Sequence, residues 1–112
     1  MSPITTHILD THRGCPASGV SIELRKRTPE GFVVLTKKNT NADGRIPDLL
    51  PKGSLEPGVY QMQFDTKSYH ASLGIQGFYP EVVVCFEIQQ IDQHYHIPLL
   101  ISPFGYSTYR GS

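Results

Sequence analysis

Five histidines stand in the 112-residue chain, and three of them are spaced in ways that could do chemistry. His94 and His96 flank Tyr95, and in an extended strand residues two apart project to the same side. Tyr95, Ile97, Leu99 and Ile101 form the apolar set of that strand, so the two histidines are expected on its outward face. His7 lies in Ile4-Thr5-Thr6-His7-Ile8-Leu9-Asp10, where it alternates with Ile4 and Ile8 although Leu9 shares its side. Two arginines sit at suggestive places: Arg45 directly after Asn41-Ala42-Asp43-Gly44, and Arg110 within the tail Tyr106-Ser107-Thr108-Tyr109-Arg110-Gly111-Ser112. Histidine gains and loses a proton near neutrality, and arginine offers a planar fork of donors to a carbonyl or an anion. Histidines and arginines with no partnering carboxylate suit a flat, oxygen-rich, anionic substrate; the bland alternative is a pair of solvated arginines. A His-x-His pair with a third histidine, here His7, His94 and His96, could also form a zinc site with an open position. His12 and His70 read as surface or hydrogen-bonded side chains.

These residues need a scaffold, and the punctuation of the chain indicates which. Nine prolines and ten glycines divide it into short alternating pieces. Ile4 to His12 is rich in β-branched residues and stops at Arg13-Gly14-Cys15-Pro16. Val20, Ile22 and Leu24 share a face, and a loop at Thr28-Pro29-Glu30-Gly31 joins that strand to Phe32–Thr40 as a hairpin. Asn41-Ala42-Asp43-Gly44 is a tight turn that delivers Arg45 and Ile46 onto a short strand. Glu56-Pro57-Gly58 precedes Val59–Asp65, and Thr66–Leu73 is the one plausible helix, with Thr66 as its cap and Gly74 as its stop. Glu81–Gln89 is apolar and reads as a buried strand, with Cys85 a small buried hydrophobe. The chain closes on a hairpin: a histidine-bearing strand, a turn at Ser102-Pro103-Phe104-Gly105, and a last strand ending at an arginine. Seven or eight such strands predict an all-β, two-sheet antiparallel sandwich with one short helix, residues 1–112 forming a single domain.

Composition narrows the function classes. Hydrophobic residues make up 38% and charged residues 18%, which places the chain among globular proteins. A formal net charge of zero gives no electrostatic basis for binding nucleic acid or an anionic membrane. No apolar run reaches the length of a spanning helix, and neither a signal sequence nor a peroxisomal ending is visible, so a soluble cytoplasmic protein is the expectation. No Gly-rich phosphate loop and no Gly-x-Ser-x-Gly elbow is present.

Three motifs carry a resemblance beyond this. Thr6-His7-Ile8-Leu9-Asp10, Thr40-Asn41-Ala42-Asp43-Gly44-Arg45 and the terminal Tyr109-Arg110-Gly111-Ser112 are similar to those of the 5-hydroxyisourate hydrolases, the transthyretin-like enzymes of urate breakdown. Tyr95-His96-Ile97-Pro98-Leu99-Leu100, Gly14-Cys15-Pro16-Ala17 and Glu56-Pro57-Gly58-Val59-Tyr60 extend the similarity over essentially the whole chain. The resemblance implies a transthyretin-like sandwich of eight strands, assembled as a homotetramer with its sites in a channel between dimers. It implies hydrolysis of 5-hydroxyisourate to 2-oxo-4-hydroxy-4-carboxy-5-ureidoimidazoline without a metal or organic cofactor. His7, Arg45, His96 and the tail Tyr109, Arg110, Gly111 and Ser112 would form the site, with His94 at a neighbouring position. The rival from another class is a transthyretin-like carrier holding a flat aromatic ligand in the channel. The terminal tetrapeptide speaks against the carrier.

Overall fold

Strand β1 (Ile4–Asp10) shows why the chain folds as it does: its residues alternate strictly between buried and half-buried. Ile4, Thr6, Ile8 and Asp10 point inward, leaving Thr5, His7 and Leu9 on the outer face. The structure, a computed structural model, describes residues 2–112. After β1 come β2 (Cys15–Pro16), β3 (Ser21–Thr28), β4 (Gly31–Asn39), β5 (Gly58–Phe64), helix α1 (Thr66–Ser72), β6 (Val82–Ile88), β7 (Tyr95–Ser102) and β8 (Gly105–Thr108). They build two four-stranded sheets, ordered β2-β1-β7-β8 and β4-β3-β5-β6. Ile4, Ile8, Leu99 and Ile101 of the first sheet meet Ile22, Leu24, Met62 and Phe64 of the second in one core. Burying side chains of this size, at roughly 1.5–3 kcal/mol each, is what holds the two layers together.

The expected two-sheet sandwich is therefore present, with several corrections. The sheets are not wholly antiparallel, because β1 and β7 run parallel, with Thr5 opposite His96 and His7 opposite Pro98. A parallel pair needs a long connection, and here nearly the entire second sheet lies between the two strands. Arg45 and Ile46 form no strand of their own; Arg45 makes a single bridge to His7. Strand β6 is not buried on both faces. It is an edge strand bonded only to β5, so Val84 and Phe86 pack against the core while Val83, Cys85 and Glu87 face out. Cys85 is thus an exposed free thiol, and Cys15 is a second free one.

Helix α1 is displaced by one residue at its start. Asp65 caps it, its carboxylate accepting from the Ser68 N–H at 3.1 Å, because the Thr66 hydroxyl is buried and donates to the Tyr79 carbonyl at 3.0 Å instead. Gly74 does end the helix, taking φ +71 just past Leu73. His70, read from sequence as an exposed or satisfied side chain, is only 3% exposed, and neither ring nitrogen has a protein hydrogen-bond partner. It lies edge-on to Tyr69 and under Gly77, where an added Cβ would stand 3.0 Å from its Nδ1. Among the described residues no helix is long and apolar enough to cross a membrane.

One polar contact ties α1 to the first sheet. Asp10 is 1% exposed; its Oδ1 accepts from the His12 and Arg13 N–H groups at 3.0 Å each, and its Oδ2 accepts from the Tyr69 hydroxyl at 2.6 Å. Burial pushes the Asp10 carboxyl up, but those donors outweigh it and hold the group below its ordinary value. Burial and the same hydrogen bond push the Tyr69 phenol up to about 12. Tyr69→Phe is expected to lower unfolding free energy by about 1.5–3 kcal/mol, since a buried carboxylate oxygen loses its donor. The deficit should be full above the ordinary carboxylate value and shrink as pH falls through the lowered value of folded Asp10, where the carboxylate's contribution is lost in any case. Urea denaturation of both proteins across the acid range checks this; an equal deficit at every pH would rule out the carboxylate as its source.

Candidate active site

Two neighbouring strands place the histidines. Thr5 and His7 on β1 and His96 on β7 share the outer face of the first sheet, because β1 and β7 pair in parallel with fixed register. His94 lies just before β7 and is exposed, and its ring stacks on that of His96 at 6.4 Å and 17°. Between them sits a residue that composition and spacing did not single out. The Thr5 Oγ1 is 2.8 Å from His96 Nδ1 and 3.0 Å from His94 Nε2. Its partner lies 91 residues away, so no local pattern marks it; only the strand pairing brings the groups together.

Arg45 is delivered by its turn. Thr40 anchors the entry: its hydroxyl donates to the Ala17 carbonyl at 2.8 Å and accepts from the Val20 N–H at 2.9 Å. The Asn41 side-chain oxygen accepts from the N–H groups of Asp43 and Arg45, at 2.9 and 3.1 Å. Gly44 takes φ +73, and a Cβ there would stand 2.5 Å from the Ile8 carbonyl oxygen, so only glycine lets the turn lie this close to β1. The Gly44 carbonyl then accepts from the Ile8 N–H at 2.9 Å, and the Arg45 Nη2 comes to 3.4 Å from His7 Nδ1.

The tail continues the register of β8. Leu99 pairs with Thr108, and three residues further along each strand His96 pairs with Gly111, whose N–H donates to the His96 carbonyl at 2.8 Å. The ladder is interrupted at Pro98, which has no N–H to donate. A Cβ on Gly111 would stand 2.6 Å from His96 Cδ2 and 3.1 Å from Pro98 Cγ, so the tail lies directly on the histidine ring because residue 111 has no side chain.

The expectation that Arg110 joins Arg45 at one cavity is not met within this single chain. Residue 110 lies between positions sharing the His96 face and so points the other way. Its guanidinium lies 4.5 Å from the Tyr95 ring centroid and donates to the Gln93 side chain at 3.0 Å. Tyr109, 59% exposed, and Arg110 line a cavity of about 220 Å³ with Val84, Phe86 and Glu87, which His96 also borders but Arg45 does not. The cavity on the histidine side measures about 450 Å³ and is lined by Thr5, Thr6, Arg45, His94, His96 and Ser112 together with the apolar Ile46 and Pro47. His7 sits beside Arg45 at its margin.

Both half-buried histidines are held as free bases. Burial lowers the pKa of His7 first and the Arg45 charge second, against the backbone and charge of Asp43. Burial also leads for His96, followed by Arg45, His94 and His7, against the Thr5 backbone. Neutral imidazoles beside a permanent cation can take a proton from water and leave the cation to meet a developing negative oxygen. Among the described residues no three His, Cys, Asp or Glu side chains, His7, His94 and His96 included, group so as to hold a metal ion.

The fold and this site define a transthyretin-like sandwich whose outer sheet face carries two neutral histidines and an arginine. The chain belongs to the HIUase/Transthyretin family, whose profile matches residues 4–111. It is 46% identical over 113 residues to the 5-hydroxyisourate hydrolase of Mus musculus, covering 99% of this chain and 96% of that one. It is 43% identical to the 5-hydroxyisourate hydrolase of Pseudomonas aeruginosa, covering 100% and 93%. Among solved structures, Klebsiella pneumoniae 5-hydroxyisourate hydrolase superposes with a TM-score of 0.85 at 36% identity, over 97% of this chain and 92% of that one. Sea bream transthyretin in complex with thyroxine superposes with a TM-score of 0.93 at 32% identity, over 98% and 95%.

The pKa directions give a test that needs no substrate. The imidazole resonances of His7 and His96 should titrate with midpoints below 6.5. Arg45→Gln should raise both midpoints, without restoring either fully, because burial remains. Proton NMR across the neutral range checks this, and midpoints that ignore the substitution would remove Arg45 from the electrostatics of the pair.

Proposed function

We propose that the protein hydrolyses 5-hydroxyisourate to 2-oxo-4-hydroxy-4-carboxy-5-ureidoimidazoline in urate catabolism. The observation that carries this reading is a half-buried imidazole, His96, on the same cavity as a fixed cation, Arg45, with burial and that charge lowering the imidazole's pKa. The names of relatives up to 46% identical over nearly the full chain support it. In the proposed step a water is deprotonated by His96, with His7 as the second candidate for that role, and its oxygen bonds to a ring carbonyl carbon. Arg45 stabilises the oxyanion that forms. The ring C–N bond then breaks, the departing nitrogen takes up the proton held by the histidine, and the carboxylic acid left behind gives its remaining proton to solvent to become a carboxylate. Tyr109 and Arg110 lead into Gly111, and Arg110, anchored on Tyr95 and Gln93, holds it against the His96 ring; Ser112 reaches the cavity wall.

A carrier of a flat aromatic ligand shares this fold, as the thyroxine-bound transthyretin shows, so the fold does not separate the two. The charged and titratable groups in the cavity favour the hydrolase: Arg45, His94 and His96 stand beside Ile46 and Pro47, where a carrier of an apolar ligand would present hydrocarbon alone. The same proposal includes a homotetramer in the cytoplasm. The exposed edges β6 and β8, with Val83 and Tyr106 on them and Phe78 and Phe104 nearby, leave unpaired backbone and apolar surface for partner copies to cover. The free thiols Cys15 and Cys85 fit a reducing compartment.

Freshly generated 5-hydroxyisourate should lose its ultraviolet absorbance faster with the protein than without it. His7→Asn and His96→Asn should each slow that decay by about 10²–10⁴-fold with the fold retained, because both side chains look away from the core. A wild-type protein that leaves the spontaneous decay unchanged would refute the hydrolase reading. Sedimentation at micromolar concentration should show a tetramer, and a monomer alone would overturn the assembly.

A further inference from the structure

The structure assigns to Thr5 a positioning role: its hydroxyl, closed by His94, sets the tautomer in which His96 can act as a base. The coupling of the two rings comes from counting protons; the choice between their tautomers rests on the hydrolase reading above. A threonine hydroxyl has one proton and two lone pairs. The Thr5 Oγ1 is within hydrogen-bond distance of two ring nitrogens, His96 Nδ1 at 2.8 Å and His94 Nε2 at 3.0 Å. It can donate to only one of them, and among the described residues no third group is within reach of its proton, so it donates to one ring and accepts from the other and the two tautomers are coupled.

Two arrangements satisfy that rule when both rings are neutral. In the first, His94 Nε2–H donates to Thr5 and Thr5 donates to His96 Nδ1; the His96 proton then sits on Nε2, and the ring has no lone pair left for water. In the second, His96 Nδ1–H donates to Thr5 and Thr5 donates to His94 Nε2, leaving the lone pair of His96 Nε2 free. His94 is exposed, so its remaining nitrogen can meet solvent as donor or acceptor and its ring follows at little cost. His96 is half-buried, so its preference governs. Its Nδ1 is held by the Thr5 hydroxyl, whereas among the described residues Nε2 has no hydrogen-bond partner and the ring borders the cavity that Arg45 also lines. The arrangement that leaves a lone pair on Nε2 for a water in that cavity is the second.

The second arrangement also needs no rebuilding during the reaction. When His96 Nε2 takes a proton from water, Nδ1–H continues to donate to Thr5, and the Thr5 hydroxyl continues to donate to His94 Nε2. The hydrogen-bond chain that orients the free base also orients the charged ring, which is the preorganised condition for proton transfer. In the first arrangement the hydroxyl would have to reorient and both rings to change tautomer before His96 Nε2 could accept a proton.

Long-range proton–nitrogen NMR of labelled, substrate-free protein at mildly alkaline pH reads the tautomer directly. His96 should be in the Nδ1–H form in the wild type and in Thr5→Ser, which keeps the hydroxyl. Thr5→Val, of nearly the same shape, should shift His96 toward Nε2–H and lower kcat by about 10–100-fold, with KM little changed and activity recovered in Thr5→Ser. A wild-type His96 in the Nε2–H form, or a tautomer that does not respond to Thr5→Val, would overturn the assignment. A wild type that shows Nδ1–H but fails to open 5-hydroxyisourate would support the assignment and count against the hydrolase reading instead.

Discussion

The parallel register between β1 and β7 is the constraint on which the rest of this molecule depends. It places Thr5 opposite His96 and His7 opposite Pro98, and with a side-chain period of two it decides the contents of both faces at once. The inward set, Ile4 and Ile8 with Leu99 and Ile101, is the core of the first sheet. The outward set is the histidine cluster. A slip of one residue would put the imidazoles into the core and isoleucines into the cavity, so packing energy and site geometry are secured by one and the same alignment.

Around that pair the structure uses close backbone approach to bring in what the strands cannot supply. Gly44 lets the Asn41–Arg45 turn rest on the Ile8 carbonyl, and Gly111 lets the tail rest on the His96 ring. In both places a single Cβ would collide with what lies beneath it. The positive charge of Arg45 is thereby held beside two imidazoles already made less basic by burial, and the two effects act in the same direction on their protonation. Arg110, one residue from Gly111 along an extended chain, is turned by that geometry to the other side of β7.

The polar contacts away from the cavity divide into satisfied and unsatisfied ones. Asp10 is buried with three donors on its carboxylate and joins α1, through Tyr69, to the end of β1. His70, the next residue on the same helix, is buried with no protein partner on either nitrogen. The first is a docking contact for the helix. The second is a local cost that the packing of α1 against Gly77 and the β7–β8 turn carries.

Local pattern alone was enough for the sandwich class, most strand positions, the stop at Gly74, and the outward facing of His7, His94 and His96. Alternation, turn residues and glycine chemistry act over a few residues and are written directly in the chain. The boundaries that were displaced have tertiary causes: the Thr66 hydroxyl is drawn off to Tyr79, and β6 is an edge rather than a central strand, which exposes Cys85. The motifs also marked Arg45 and the tail as belonging with the histidines, but not how they meet. That β1 runs parallel to β7, that Thr5 therefore stands between His94 and His96, that His70 is enclosed and that Arg110 faces Tyr95 were decided only in three dimensions. Pairing between strands some 90 residues apart depends on which faces can be buried together across the whole sandwich, and no window of neighbouring residues contains that information.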